Sequence, residues 1–344
     1  MKTRRHLWEQ VVASENLMAA ARESMRGKRG RSSAARFFAR WETEVWRLHD
    51  ELVSGEYRPG AYTYFKIYEP KERVVAAAPF RDRVVHHALV RVLQPIFEPR
   101  FIEDSFACRP GKGTHAGMRR AAEYARRFPC AMKCDIRRYF PSIDHAILLQ
   151  RIGRAIADPA VLGLVGTILA SHADSTRRVY GESLFDVRDT GCGLPIGNLT
   201  SQFFANIHLD GFDHFVKQEL RVKGYVRYVD DFLIFGPDRR TVRAWGEAAR
   251  DYLRGLRLEI HPDKYRLCHS GQGVDFCGFV VRSDGRIRIR RASVRRFERK
   301  FRHRRWQWQR GECMASDVRA TVQAWIGHAA HAQSWRLRRQ LFAA

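Results

Sequence analysis

The chain has 344 residues, 45% of them hydrophobic, which is enough for a sizeable core and two or three subdomains. Lys+Arg 62 against Asp+Glu 37 leaves a formal net charge of +25. Such an excess costs self-repulsion, so a polyanionic partner is its simplest explanation; a membrane surface is the weaker alternative, because no apolar run of spanning length and no amphipathic anchor is found.

The N-terminal stretch MKTRRHLWEQVVASENLMAAARESMRG is basic and lacks an uninterrupted apolar run, so no signal peptide is expected. Residues 1–55 read as helical, with WETEVWRLHDELVSG closing at Gly55. YTYFKIYEPKERVVAAAPF (62–80) reads as two strands around Glu69-Pro70-Lys71-Glu72, and RDRVVHHALVRVLQPIF (81–97) has helical apolar spacing. A loop at Pro99–Gly113 precedes a helix at 114–127, and AMKCDIRRYF (131–140) is a short strand running into Asp135. Helices and loops fill 143–190, and 203–220 is a helix. GYVRYVDDFLIFG (224–236) is a hairpin with Asp230 and Asp231 in its tight turn. A helix at 240–254, short strands at 256–290 and a helical C-terminal region complete the chain. Strands and helices mix without regular alternation, so the class is α+β.

The seven cysteines are an odd number in a large chain and point to reduced thiols in a cytoplasm; Cys130 and Cys134 read as small buried hydrophobes. His328 and His331 lack acidic or cysteine neighbours in sequence and read as structural.

An Asp-Asp turn is a poor fit to a hairpin, which asks for residues that tolerate positive φ, and it stacks two like charges. Asp135 supplies a third carboxylate at the end of a strand. If that strand lies beside the hairpin, the carboxylates repel unless cations join them. Mg²⁺ suits hard oxygen ligands, and two such ions about 3.5–4 Å apart activate an attacking hydroxyl and stabilise a leaving pyrophosphate.

Asp135 in a D-x-x-x-(aromatic)-(aromatic) setting, then GNLTSQ, then YVDD, resembles the palm of a reverse transcriptase. The likeness runs from YEPKERVV through GLPIGNLTSQFFANIHL and YVDD to LEIHPDK and FCGF. It implies a right-hand polymerase fold: an N-terminal helical extension (1–55), fingers (56–134), a palm (135–285) with a fingers insertion near 145–190, and a thumb (286–344). It implies Asp135 and Asp230 as principal ligands of two Mg²⁺ ions (Mn²⁺ as a substitute), with Asp231 nearby and Ile136 lending a carbonyl. Phe140 matches the aromatic gate that excludes a 2′-hydroxyl, and backbone amides near Arg138 and Tyr139 would hold the triphosphate. Lys66, Lys71 and Arg73 fall in the segment that closes on the nucleotide, Arg73 foremost with Lys71 or Lys66 as companion. Lys264 matches a lysine that protonates departing pyrophosphate.

FCGF (Phe276, Cys277, Gly278, Phe279) resembles the primer grip. Beyond it, residues 286–305 carry eleven Lys/Arg and one acid. Arg290, Arg291, Arg295, Arg296, Arg299 and Lys300 are expected along a nucleic-acid backbone, with Trp306 and Trp308 as packing residues.

Where most reverse transcriptases have Q-G-x-x-x-S-P, this chain has IGNLTSQ: Ile196 replaces the glutamine, Gly197 and Ser201 are kept, and Gln202 replaces the proline. That variant, with RDRVVHHAL, ACRPGKGTHAG and AWIGHA, resembles the reverse transcriptases of diversity-generating retroelements. The implied partners are template RNA, the cDNA or primer strand, dNTPs and a small basic oligomeric accessory protein, in a bacterial or phage-encoded cytoplasmic setting without a membrane. Rival readings are a phage-defence reverse transcriptase, a group II intron reverse transcriptase (disfavoured because the chain stops soon after the thumb), and a catalytically silent RNA-binding protein.

Overall fold

The computed structural model describes residues 3–27, 32–68, 72–179 and 191–342, so that Lys71 and the last part of the 145–190 insertion lie outside the described residues. In chain order the elements are α1 (Trp8–Val12), α2 (Ser14–Ser24), α3 (Ser32–Phe38), α4 (Trp41–Val53), β1 (Thr63–Ile67), β2 (Arg73–Ala77), α5 (Phe80–Phe97), α6 (Thr114–Arg127) and β3 (Cys130–Asp135). There follow α7 (Tyr139–Ser142), α8 (His145–Gly153), α9 (Pro159–Val179), α10 (Leu199–His214), β4 (Gly224–Tyr228), β5 (Asp231–Gly236) and α11 (Arg239–Gly255). The chain closes with β6 (Arg266–His269), β7 (Val274–Phe276), β8 (Phe279–Val281), β9 (Ile287–Ile289), α12 (Arg291–Gln309), α13 (Ala315–Ala329) and α14 (Trp335–Phe342). The predicted helix at 203–220 is α10 followed by a π-helical turn at Phe215–Glu219.

The chain packs as two compact units. The first holds Met1–Ile102, Arg137–His214 and Tyr252–Glu259. Its spine is α5, whose Val84, Val85, Ala88, Leu89, Leu93 and Phe97 recur at helical spacing and are all buried. The β1–β2 hairpin is antiparallel, with Lys66 opposite Val74 and Ile67 opposite Arg73. Asp82 at the start of α5 fixes the approach to that hairpin, accepting from Tyr57 Oη at 2.9 Å and Gly60 N at 2.8 Å.

Three buried histidines make this unit sensitive to acid. Burial depresses His86 and His208 to about 3 and His172 to about 4, with neighbouring cationic groups adding to the effect. A histidine that stays neutral when folded but protonates near 6.5 when unfolded stabilises the fold fully only above about 6.5. As pH falls to about 5, each costs about 2 kcal/mol. The expected result is a melting temperature that drops steadily below about pH 6.5; a flat profile down to about pH 5 would count against neutral burial of these rings.

The second unit holds Glu103–Ile136, Phe215–Asp251 and Ile260–Ala344. A four-stranded antiparallel sheet in the order β4-β5-β3-β6 faces α6, whose Met118, Ala121, Ala122 and Ala125 cover Val226, Leu233 and Phe235. The three-stranded sheet β7-β8-β9 joins the same core through Phe276 and Phe279, and α12 and α13 close it where Phe297 stacks on Trp325 with centroids 4.2 Å apart. Cys130 and Cys134 are buried in β3. His328 packs on Phe279 and His331 stacks on His115, so both have aromatic surroundings.

The register corrects the reading of the hairpin. Tyr228 pairs with Asp231, so the two turn residues are Val229 and Asp230, and Asp231 is already in the ladder. The positive φ falls on Val229, at +57°. A β-branched residue there is a genuine outlier, costing on the order of 1–3 kcal/mol. Fully buried Arg227 braces this turn by donating from Nη1 to the Val229 carbonyl at 3.0 Å.

Candidate active site

The last pair of the β3–β5 ladder is Asp135 opposite Asp231, with Asp230 next to it in the turn. Three segments are stitched together there. Ile136 N donates to the Asp230 carbonyl at 3.0 Å, and His261 N donates to the Asp135 carbonyl at 2.8 Å. Residues 95 positions apart in sequence therefore share one sheet end.

Like charges directly opposite on a ladder are destabilising, and both members of this pair, Asp135 and Asp231, have a lysine against them. Lys264 Nζ lies 2.6 Å from Asp135 Oδ1, and Lys133 Nζ lies 3.1 Å from Asp231 Oδ2. Burial pushes the Asp231 carboxyl up to about 7; Lys133 pulls it down, and Asp135 and Asp230 push it further up. Asp231 Oδ1 is buried and accepts no hydrogen bond.

Among the described residues no three His, Cys, Asp or Glu side chains are gathered as a finished metal centre. Mg²⁺ does not require one, since it typically takes one or two protein carboxylates and completes its shell with water and phosphate oxygens. The donor set fits: Asp135 and Asp231 bring hard carboxylate oxygens to the same sheet end, and Asp231 Oδ1 is buried without a hydrogen-bond partner.

The segment Phe276–Phe279 is a two-residue hairpin between β7 and β8. Cys277 and Gly278 both have positive φ, +51° and +85°, as the tightest hairpin turns demand. The rings of Phe276 and Phe279 are fully buried, which leaves the turn backbone and Cys277 as the part able to meet a ligand.

The family model described as "Reverse transcriptase (RNA-dependent DNA polymerase)" matches residues 68–281, well over half of the chain. The chain belongs to the reverse transcriptase family. Its class is accordingly RNA-directed DNA polymerase. It is 28% identical over 285 residues to Protein YkfC of Escherichia coli K12, covering 70% of this chain and 71% of that protein. It is 24% identical over 310 residues to the group II intron-encoded protein LtrA of Lactococcus lactis, covering 70% of this chain and 50% of LtrA, so it spans about half of that relative's length. Telomerase from Candida albicans, solved with a fragment of telomeric RNA, is similar at a TM-score of 0.47 and 12% identity, over 76% of this chain and 52% of that one.

The remaining sequence-predicted residues of this reverse transcriptase divide between the two units. In the first, Lys66 is exposed and pairs with Glu72 at 2.7 Å, and Arg73 is exposed at the start of β2. Arg138 is exposed with φ +47°, heading the short α7. Tyr139 is buried and its hydroxyl donates to the Ala205 carbonyl at 2.6 Å, so only its backbone remains for a ligand. Phe140 is half-buried, not a core ring. The strap leading into α10, residues 196–198, lies on β2: Ala76 N donates to the Ile196 carbonyl at 3.0 Å, and a Cβ on Gly197 (φ +108°) would come within 2.7 Å of Val75. Ser201 is buried, whereas Gln202 is exposed.

In the second unit, Arg291, Arg295 and Arg299 recur every four residues and form one exposed stripe of α12; Lys300 is exposed and Arg296 half-buried. The Arg290 guanidinium pairs with the Asp275 carboxylate, and 36% of its side chain stays exposed. One expectation needs correction. Trp306 and Trp308 lie outside the core: they are 46% and 50% exposed, because the α12 face turned to the core is filled by Phe297 and Phe301.

Sequence reading missed Lys133, Arg227 and Asn198. Asn198 fastens the strap by donating from Nδ2 to the Ala76 carbonyl at 2.8 Å. Its one signal was an Asn immediately after Gly197, a pairing typical of irregular backbone.

Proposed function

We propose that this reverse transcriptase joins dNTPs to a primer 3′ end on an RNA template and makes adenine-mutagenised cDNA within a diversity-generating retroelement. The observation that supports the chemistry is the meeting of Asp135, Asp230 and Asp231 at one sheet end, with Lys264 against Asp135. Asp135 and Asp230, with the Ile136 carbonyl, would hold two Mg²⁺ ions or Mn²⁺ in their place, with Asp231 beside them. Such ions, when bound, make the attacking hydroxyl a better nucleophile and neutralise the leaving pyrophosphate.

The chain's own residues do the rest in this reading. Arg73, with Lys66 or Lys71, grips the triphosphate, together with the backbone amides at Arg138 and Tyr139. The Phe140 ring excludes a 2′-hydroxyl. Lys264 delivers a proton to pyrophosphate, the Cys277–Gly278 turn carries the primer end, and the Arg291, Arg295 and Arg299 stripe follows a duplex backbone. The division into an extension (1–55), fingers (56–134), palm (135–285) and thumb (286–344), and a small basic oligomeric accessory protein, belong to the same reading.

Ile196 in the IGNLTSQ strap supports the mutagenic part. Isoleucine donates no hydrogen bond, so the nucleotide is held by shape and stacking, and one net hydrogen bond is worth about 0.5–1.5 kcal/mol. The test is primer extension on an RNA template with sequencing of the cDNA. Errors are expected to concentrate opposite template adenines, and Ile196→Gln is expected to lower them by several-fold to about tenfold. An identical error spectrum in parent and variant removes Ile196 from the fidelity argument.

The likeness to LtrA favours a second reading, an intron-encoded reverse transcriptase. Faithful copying of adenines by the parent would select it.

A further inference from the structure

Lys133 has no part in the scheme above. It lies on β3 two residues before Asp135, so strand alternation puts both side chains on the same face. Its side chain is 19% exposed, and its ammonium joins two different sheets. On its own sheet it meets Asp231 Oδ2 at 3.1 Å. On the neighbouring one it donates to the Asp275 carbonyl at 2.8 Å and lies 3.8 Å from Asp275 Oδ1. Asp275 is the middle residue of β7, one position before Phe276 and the Cys277–Gly278 turn.

The same turn is also held by Arg290. Its guanidinium pairs with the Asp275 carboxylate, and its backbone N donates to the Gly278 carbonyl at 3.0 Å. A half-buried ammonium is held in place only where its donors are matched, and Lys133 finds acceptors on both sheets at once. The β7–β8 hairpin is short, three residues on each strand, so few ladder bonds hold its turn.

We propose that Lys133 is a positioning residue: by holding the Asp231 carboxylate and the Asp275 carbonyl on one ammonium, it fixes the Cys277–Gly278 turn, and with it the primer 3′ end, relative to the carboxylates. The proposal rests on the polymerase reading of this site. Its consequence is geometric, because a reacting atom displaced by about 1 Å costs on the order of 100-fold in rate.

The experiment compares the full chain with Lys133→Met and Lys133→Arg, with Lys133→Gln as the variant used should the methionine protein not fold. Three quantities are read: the fluorescence of 2-aminopurine at the primer 3′ terminus in a metal-free complex with RNA template, the separate kcat and dNTP KM for extension, and the affinity for Mn²⁺ measured by electron paramagnetic resonance. Lys133→Met is expected to change the 3′-terminal fluorescence and to lower kcat by on the order of 100-fold, with dNTP KM and Mn²⁺ affinity within about threefold; Lys133→Arg restores most of the rate. Unchanged 3′ fluorescence, or a rate loss accompanied by tighter Mn²⁺ binding, overturns the proposal and makes Lys133 a mere counter-ion of Asp231. A parent protein that extends no primer sinks the polymerase reading instead.

Discussion

Asp135→Ala and Asp230→Ala are each expected to eliminate extension of a primer on an RNA template, while template binding is expected to survive. The two residues stand at one end of a sheet whose contribution to the core is Ala131, Val226, Leu233 and Phe235, so truncating either leaves the core of the second unit intact. What is lost is an oxygen donor at the point where charge develops. Metal-assisted stabilisation of a displacement is worth several kcal/mol, and at about 1.36 kcal/mol per tenfold the loss is about 1,000-fold or more. Gel-resolved extension measures the rate, and filter binding to labelled RNA confirms that the basic surface still works. Extension within tenfold of the parent in either variant would remove these carboxylates from the chemistry.

Lys264→Met is expected to lower kcat for extension by about 100-fold or more, the scale of a positioned general acid. Lys264 Nζ stands 2.6 Å from Asp135 Oδ1, at the edge of the site, with 36% of its side chain exposed. It therefore lies within reach of a group departing from the same carboxylates. A lysine that only binds phosphate would affect dNTP KM alone; one that donates a proton affects kcat. A loss confined to KM would assign Lys264 to phosphate binding.

Much of this arrangement was legible in the sequence, for reasons that are local. The apolar spacing of 81–97 announced α5, and the strand-like runs on either side of Glu69-Pro70-Lys71-Glu72 announced β1 and β2. Asp135 and YVDD were legible because each ends or follows a strand with its own pattern. The turn was misplaced by one residue, because propensity forbids what the chain does: it puts a β-branched Val229 at positive φ and keeps Asp231 in the ladder. Departures of this kind collect at functional sites, where local preference yields to geometry. Lys133 and Asn198 were illegible because their partners lie 142 and 122 positions away. Trp306 and Trp308 were assigned to packing on the general habit of aromatics, and the helix face already occupied by Phe297 and Phe301 decided otherwise.

The position of β3 has a consequence for how this chain tolerates change in length. The strand is interior, bonded to β5 on one side and β6 on the other, and side chains alternate between its two faces. Slipping it by a single residue would exchange Asp135 with its neighbour Cys134 on the working face and break the pairing on both flanks together. Insertions or deletions within 130–135 are therefore ruled out far more strictly than substitutions of the same residues, and the location of the chemistry is set by hydrogen-bond alignment before any side chain takes part.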